Sequence, residues 1–486
     1  MKKVMASRHR QRERFLEFCK AGDLKGVKDA ITSGADVNQL CEWGRTGLIL
    51  AVARNNKPLV SLLLGNPNID VNAKDNSRHN QTAFFWALSI FQKIGTRGGW
   101  EILQLFLSDP RVDKNIQDND GYTPLTVAVF IAARMSYRTK IKECVKVLLS
   151  DDRVDPNIKT NSGDTALLMA IKFGLETEVA ELLISDNRTK LNLQDDNGVT
   201  PLLMAVEKNE TECVKLLLRD RRVDPNIENH FGDTPLMMAV EHGRTECVQL
   251  LISNRQTELN MQDDNGATPL MLAVERNVEY NEIECVKLLL SDRRVDPNIE
   301  NHIGDTPLTM ALRNGNYGRT ECVQLLISNR RTEFNLENEV GYTPLILAVE
   351  GTIECLMLLL SDDRVDPNQA SKNNYNLTPL LFAAKTNKEE CMKLLLSDDR
   401  VDPNIQDASG STILMNKIKE NAVEFVMLLL KNRRVDPNIK NNNGDSALMH
   451  VVKHSKVEFL EILLADPRVD VSTRDNYRRS EEEVKR

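Results

Sequence analysis

The feature that most constrains this chain is a period. Thr or Ser followed by an apolar run recurs at Thr46, Thr82, Thr123, Thr165, Thr200, Thr234, Thr268, Thr306, Thr343, Thr378, Thr412 and Ser446, spaced 34 to 42 residues apart. One more unit precedes them, with Arg14 at the Thr position and Phe15-Leu16-Glu17-Phe18-Cys19-Lys20-Ala21-Gly22 behind it. Length alone, 486 residues, would suggest about three globular domains. Self-similarity overrides that estimate, because a unit this short cannot bury its apolar face alone and must stack on its neighbours.

The unit from Asp195 to Asn226 shows the physics. Asp195-Asp196-Asn197-Gly198 is turn chemistry, Thr200 can cap a helix, and Pro201 sits where a missing N–H costs nothing. Leu202 to Val206 form a short apolar helix that breaks at Lys208-Asn209. A second helix follows at Glu212 to Leu218, with apolar residues at i, i+1, i+3 and i+4, and Val223-Asp224-Pro225-Asn226 turns the chain onward. Two residues before the cap stands Gly in ten of the twelve Thr/Ser units and Asn80 or Asn376 in the other two. Asn tolerates the left-handed region best among residues with a side chain, so the backbone demand is kept.

These units resemble the ankyrin repeat, whose pattern centres on Thr-Pro-Leu-His-x-Ala after a β-turn; Gly121-Tyr-Thr-Pro-Leu-Thr-Val-Ala-Val129 is a specific match. The resemblance covers residues 12–471 and implies an all-α ankyrin-repeat solenoid of about thirteen helix-turn-helix units with short β-turn or hairpin loops. Residues 1–11 are a basic tail and 472–486 a polar one. Two departures stand out. The motif's His is replaced by Leu203, Met237, Met271, Thr309 or Ile346, and the Gly after the second helix becomes Asp or Asn, as in Ser150-Asp151 and Ser253-Asn254. Both Asp and Asn can close a helix in the left-handed conformation. No composition shift or low-complexity linker interrupts the array.

Extra residues fall in the turns between helices, at Gln92–Trp100, Ala133–Lys140, Asn277–Asn281 and Asn314–Gly318. Insertions in a solenoid map to one edge, so Trp100, Tyr137, Tyr280 and Tyr317 are candidate partner contacts.

Chemistry is sparse. Seven cysteines recur at one register: Cys144, Cys213, Cys247, Cys285, Cys322, Cys355 and Cys391. Neighbouring helices pack roughly 8–10 Å apart, too far for a disulfide, so this is a ladder of small buried hydrophobes. His450 and His454 lie four apart on one helix without a third ligand, and no metal or cofactor is expected. There is no GxSxG, GxxxxGK[ST], GxGxxG or kinase set, and acidic residues recur at turns such as Asp224 and Asp296 before Pro-Asn. The chain reads as no enzyme. A net charge of −8 argues against a chain-wide nucleic-acid surface, despite Lys2, Lys3, Arg8, Arg10, Arg12 and Arg14 near the start. That basic segment reads as a solubilising cap before a targeting signal or phosphate-seeking arm. No apolar run would cross a bilayer and no signal peptide is evident, so an intracellular, cytoplasmic monomer is expected.

Proteins similar to this bind other proteins through hairpin tips and inner-helix ends. The resemblance therefore implies a non-catalytic scaffold with protein partners. The tip positions it designates are Asp196, Asn197 and Val199; His230, Phe231 and Asp233; Asp264 and Asn265; and His302, Ile303 and Asp305. The inner-helix ends are Glu207, Lys208, Glu241 and His242. An adaptor or effector of an intracellular pathogen or virus, recruiting proteins in the host cytosol, is the alternative.

Overall fold

The computed structural model describes residues 14–94, 97–134, 138–174, 177–276, 280–313, 319–372 and 377–472. Among the described residues there are 26 helices and no β-strand, only isolated bridges such as Leu40 with Thr46. The helices come in inner and outer pairs, and they divide between two compact units, Met1–Thr257 and Glu258–Arg486. The break falls inside one loop, where the composition does not change.

In the first unit the pairs are α1 (Phe15–Ala21) with α2 (Leu24–Thr32), α3 (Gly47–Ala53) with α4 (Lys57–Leu64), and α5 (Ala83–Ile94) with α6 (Arg97–Ser108). Then come α7 (Pro124–Arg134) with α8 (Arg138–Leu149), α9 (Ala166–Lys172) with α10 (Thr177–Ser185), α11 (Pro201–Glu207) with α12 (Thr211–Arg219), and α13 (Pro235–Glu241) with α14 (Thr245–Ser253). The second unit holds α15 (Pro269–Glu275) with α16 (Tyr280–Ser291), α17 (Pro307–Arg313) with α18 (Arg319–Ser328), and α19 (Pro344–Glu350) with α20 (Ile353–Leu360). It ends with α21 (Pro379–Lys385) and α22 (Glu389–Ser397), α23 (Ile413–Lys419) and α24 (Val423–Lys431), and α25 (Ala447–Lys453) and α26 (Val457–Leu464). Each odd-numbered helix packs on the next odd-numbered one of its unit.

The inner helices form where the repeated Thr places them. Thr200 is extended, and its Oγ1 accepts from the Leu203 amide at 3.2 Å, satisfying an orphan donor of α11 while Pro201 occupies the first turn. Equivalent caps start α3, α9, α13, α15, α19, α21, α23 and α25. In α11, Leu202, Leu203, Ala205 and Val206 are at most 1% exposed. Burial of each Leu or Val is worth about 1.5–3 kcal/mol, which a seven-residue helix could not gain alone. Outer helices bury one stripe, as in Cys213, Val214 and Leu217 of α12. The cysteine ladder is core: all seven are buried and outside any disulfide, and burial pushes Cys144 up to about 12 and Cys213 and Cys247 up to about 11.

Three local expectations change. The Asp and Asn that follow these outer helices do not go left-handed: Asp220 and Asn254 are extended, at φ −87° and −78°, as are Asp398 and Asn432. The left-handed positions lie between inner and outer helix instead, at Asn209, Asn387 and Asn421. The first insertion extends its helices: α5 and α6 each run to 12 residues, against seven and nine in α11 and α12, while the insertion at Asn314–Gly318 lies outside the described residues. Their apolar residues carry the helical period onward, so Phe91 is fully buried and meets Trp100 at 6.0 Å between ring centroids. At the motif's His position Thr126 and Thr309 complete the cap: each accepts from the amide of the cap Thr three residues earlier at 2.7 Å, while that Thr's Oγ1 accepts from its amide in return. Asn80 does adopt positive φ, at 53°, while Asn376 lies outside the described residues.

Candidate partner-binding surfaces

Two loop systems join each repeat to the next, and they do it differently. After each outer helix runs a loop whose side chains are consumed. Arg188 hooks back onto the end of α8: Nη1 donates to the Asp151 and Val154 carbonyls at 3.0 Å each, and Nη2 to the Leu149 carbonyl. Its other contacts hold Asp186 at 3.1 and 2.6 Å. Arg222, Arg364, Arg400 and Arg468 reach Ile184, Ile327, Leu360 and Leu430 in the same way, at 2.6–2.7 Å. A guanidinium is suited to this, since its fork serves several orphan carbonyls and its charge complements the helix C-terminus. Arg222 beside Asp220 holds that carboxyl below the usual range, and Arg364, Arg400 and Arg468 do the same for Asp362, Asp398 and Asp466.

The Asn of each Asp-Pro-Asn loop makes a second ladder. Asn157 Nδ2 donates to the Arg188 carbonyl at 2.9 Å, and its Oδ1 accepts from the Lys190 amide at 2.7 Å. Asn404 repeats this with Arg434 and Asp436, and Asn438 with Arg468 and Asp470.

The hairpins before the inner helices are joined at their base by side chains, as where Gln194 Nε2 donates to the Glu228 carbonyl at 2.9 Å, and at their tips by backbone. The His230 amide donates to the Asn197 carbonyl at 3.1 Å, and in the other unit the His302 amide donates to Asn265 at 3.1 Å. This close approach requires Gly198 and Gly266, both at φ +77°: a Cβ there would stand 2.7 Å from the next tip's backbone nitrogen. Asn161 and Asn442, at the register of His230, add a side-chain bond to the preceding tip, at the Asn119 and Ala408 carbonyls, whereas the central tips leave their side chains to solvent. Asp196, Asn197, His230 and Phe231 are exposed in the first unit, and Asp264, Asn265, His302 and Ile303 in the second. Phe231 is 72% exposed.

Not every designated residue is presented. Val199 is buried, with its amide donating to Asp195 Oδ1, because it pairs across its own turn. Asp305 is 1% exposed and held by Arg313 Nη1 at 2.6 Å and by Asn338 Nδ2, so it serves the hairpin. Asp233 is half-buried against Asn229 Nδ2 at 3.2 Å. Glu207 pairs with Lys208 at 2.8 Å, Glu241 is half-buried, and His242 is exposed with Nδ1 2.9 Å from the Met238 carbonyl oxygen. Trp100 is half-buried on Phe91, a packing position. Tyr137, Tyr317 and the side chain of Tyr280 lie outside the described residues.

The sequence reading missed two tips. Trp43 is 69% exposed and Val340 54%. Each stands directly before the turn Gly, the register of Phe231 and Ile303, and that register alone would have found them. Among the described residues no group of three or more His, Cys, Asp or Glu could hold a metal, and the His450 and His454 rings lie 4.4 Å apart between centroids, tilted by 50°. No helix among the described residues is long and apolar enough to cross a membrane.

The family model for ankyrin repeats (3 copies) matches residues 15–94, 129–229, 221–301, 277–371, 316–407 and 380–475. Among solved structures, the ankyrin repeat protein EF0377 is 27% identical, covering 42% of this chain and 98% of that one, with a TM-score of 0.37. The ankyrin repeat domain of Bcl-3, a member of the IkappaB protein family, is 26% identical, covering 50% and 99%, with a TM-score of 0.42. No curated protein matches the chain.

Proposed function

This chain belongs to the ankyrin repeat family, and from that premise we propose that it is a non-catalytic scaffold that binds a partner protein through hairpin tips and neighbouring inner-helix ends. Ankyrin repeats are general protein–protein interaction modules. The observation that carries the reading is the division of labour at the central tips: backbone joins one tip to the next, so Phe231 and Ile303 are left exposed beside His230 and His302. Exposed aromatic and aliphatic side chains on a rigid backbone are what interface hot spots are made of. The carboxylates displaced most clearly from their ordinary range are held in loop pairs with arginine, which gives them a structural task.

The test is affinity capture from a reducing cell lysate with mass-spectrometric readout. The full chain is compared with a variant carrying His230→Ser, Phe231→Ser, His302→Ser and Ile303→Ser. A partner kept by the first and lost by the second is the expected result. Partners retained equally by both would move the site off these tips, and capture of none would remove support for the scaffold.

A further inference from the structure

The second unit contains a cavity of about 370 Å³ between α21 and α23, beneath the hairpin that carries Ser409. Two residue choices open it. Four positions after the cap, the other inner helices of this unit up to α21 carry Leu272, Met310, Leu347 and Phe382, whereas α23 carries Asn416. Its Nδ2 donates to Asp407 Oδ2 at 2.8 Å, which turns the side chain toward the hairpin. Six positions after the cap, Val274, Leu312 and Val349 give way to Ala384. Both replacements line the space, together with Leu377, Leu381 and Ile413 as an apolar floor.

The charged groups at this cavity are arranged unevenly. Lys417 stands where other inner helices of the unit have Ala273, Ala311, Ala348 and Ala383, and it is 1% exposed. Its Nζ donates to Asn387 Oδ1 at 2.6 Å and Glu420 Oε2 at 2.7 Å and lies 4.8 Å from the Phe425 ring centre. Glu420 is thus paired with Lys417, and Asp407 is engaged by Asn416, Ser409 and the Ser411 amide. At the mouth Lys385 is exposed, and Lys419, also exposed, lies on the side of α23 toward His450. The inner helices and following turns at 378–388, 412–422 and 446–456 hold six lysines against one glutamate, and their hairpins add Lys372 and Lys440 against Asp407 and Asp445. The matching segments at 268–276, 306–313 and 343–351 are balanced: Arg276 and Arg313 against Glu275 and Glu350.

We infer that this cavity takes an apolar side chain presented by an acidic segment of a partner protein, with the surrounding lysines receiving the flanking carboxylates. The inference rests on the interaction-module reading and adds a site apart from the hairpin tips. The apolar floor supplies an anchor that a charged surface alone lacks, and a desolvated anchor ringed by polar contacts is the usual core of a peptide site. The basic rim selects sign and speeds encounter.

The test is selection of a displayed library of random peptides, about twelve residues long, on the full chain. It is run in parallel on the full chain with Ala384→Val and Asn416→Met, the residue types other repeats carry. Peptides retained only by the unaltered chain are expected to hold Leu, Met or Phe flanked by Asp or Glu. A synthetic representative should bind the filled variant at least about tenfold more weakly, with equal melting curves. Lys385→Glu, at an exposed position of the lining, gives a second variant that keeps the core and should lose the same peptides. Identical peptide sets on all three chains would overturn the inference. So would selected peptides without acids or an apolar residue, or displacement of them by an oligothymidylate that binds the filled and unaltered chains alike. Every variant leaves the tips intact, so the partner captured through them should survive filling of the cavity; the two proposals therefore fail separately.

Discussion

The two loop systems of this protein make an instructive contrast. After the outer helices, side chains tie repeat to repeat: Arg188 serves the carbonyls that end α8, and Asn157 bridges to the next loop. At the hairpin tips main chain does the tying, through contacts such as His230 amide to Asn197 carbonyl, above a base where Gln194 reaches the Glu228 carbonyl. The first arrangement consumes side-chain identity, so Asp-x-Arg-Val-Asp-Pro-Asn recurs intact at 151–157, 220–226, 292–298, 362–368 and 398–404. The second leaves side chains unspent, so the residue before the turn Gly varies among Trp43, Asn197, Phe231, Ile303, Val340 and Ser409. Repetition in a stacked protein therefore marks where the stack is held together, and variation at an otherwise fixed register marks where a partner can be specified.

The contrast breaks first at the arginine hooks. Arg188→Ala should cost about 2 kcal/mol or more, since charge-assisted bonds are lost and carbonyls at the end of α8 lose their partner. Repeat arrays need not unfold in one step, so the reading is loss of amide-exchange protection in α8 and α10. Unchanged protection there would mean that the hooks are ornamental. Asn157→Ala should follow the same pattern more weakly, at about 1 kcal/mol, because two neutral bonds are removed.

Acid should act on the same side of the comparison. Asp220, Asp362, Asp398 and Asp466 have carboxyls held below the ordinary range by their arginines. The folded state therefore binds protons less readily than the unfolded one, and this stabilisation is present above about pH 4 and lost as pH falls toward the folded values. Urea midpoints between pH 5 and 2 should drop, and Asp398→Asn should flatten part of that fall. A slope indifferent to Asp398→Asn would assign acid sensitivity to other carboxylates.

The smallest effect belongs to the tips. Phe231→Ser and Ile303→Ser should change stability by no more than about 0.5 kcal/mol, as side chains exposed to water do. The same changes should abolish partner capture. Tip variants that melt well below the parent chain would show that these residues carry packing and would undo the distinction.

Much of this was legible in the residues. The spacing of Thr200, Thr234 and Thr268 with Pro behind each located helix starts that the structure confirms by cap geometry. The cysteine ladder was legible because Cys begins an apolar stripe at i, i+1 and i+4. The end of the outer helix was not. Asp and Asn suit a left-handed cap, and nothing local reveals that an arginine some 35 residues later will arrive at those carbonyls, as Arg222 does at Ile184. The burial of Asp305 and Val199 was hidden for the same reason, because their surroundings come from facing strands of the turn and from the next repeat.

The sequence by itself determined the repeat, the caps, the apolar faces and the register of the tips, since each follows from residues within a single unit. Only the tertiary structure decided which side chains are left for a partner. It showed that Trp43 and Val340 join Phe231 and Ile303 at the surface, and that Asn416 and Ala384 open a cavity under a basic rim. The physical reason is that exposure and voids depend on what a neighbouring unit places opposite a residue. Local periodicity carries no record of that.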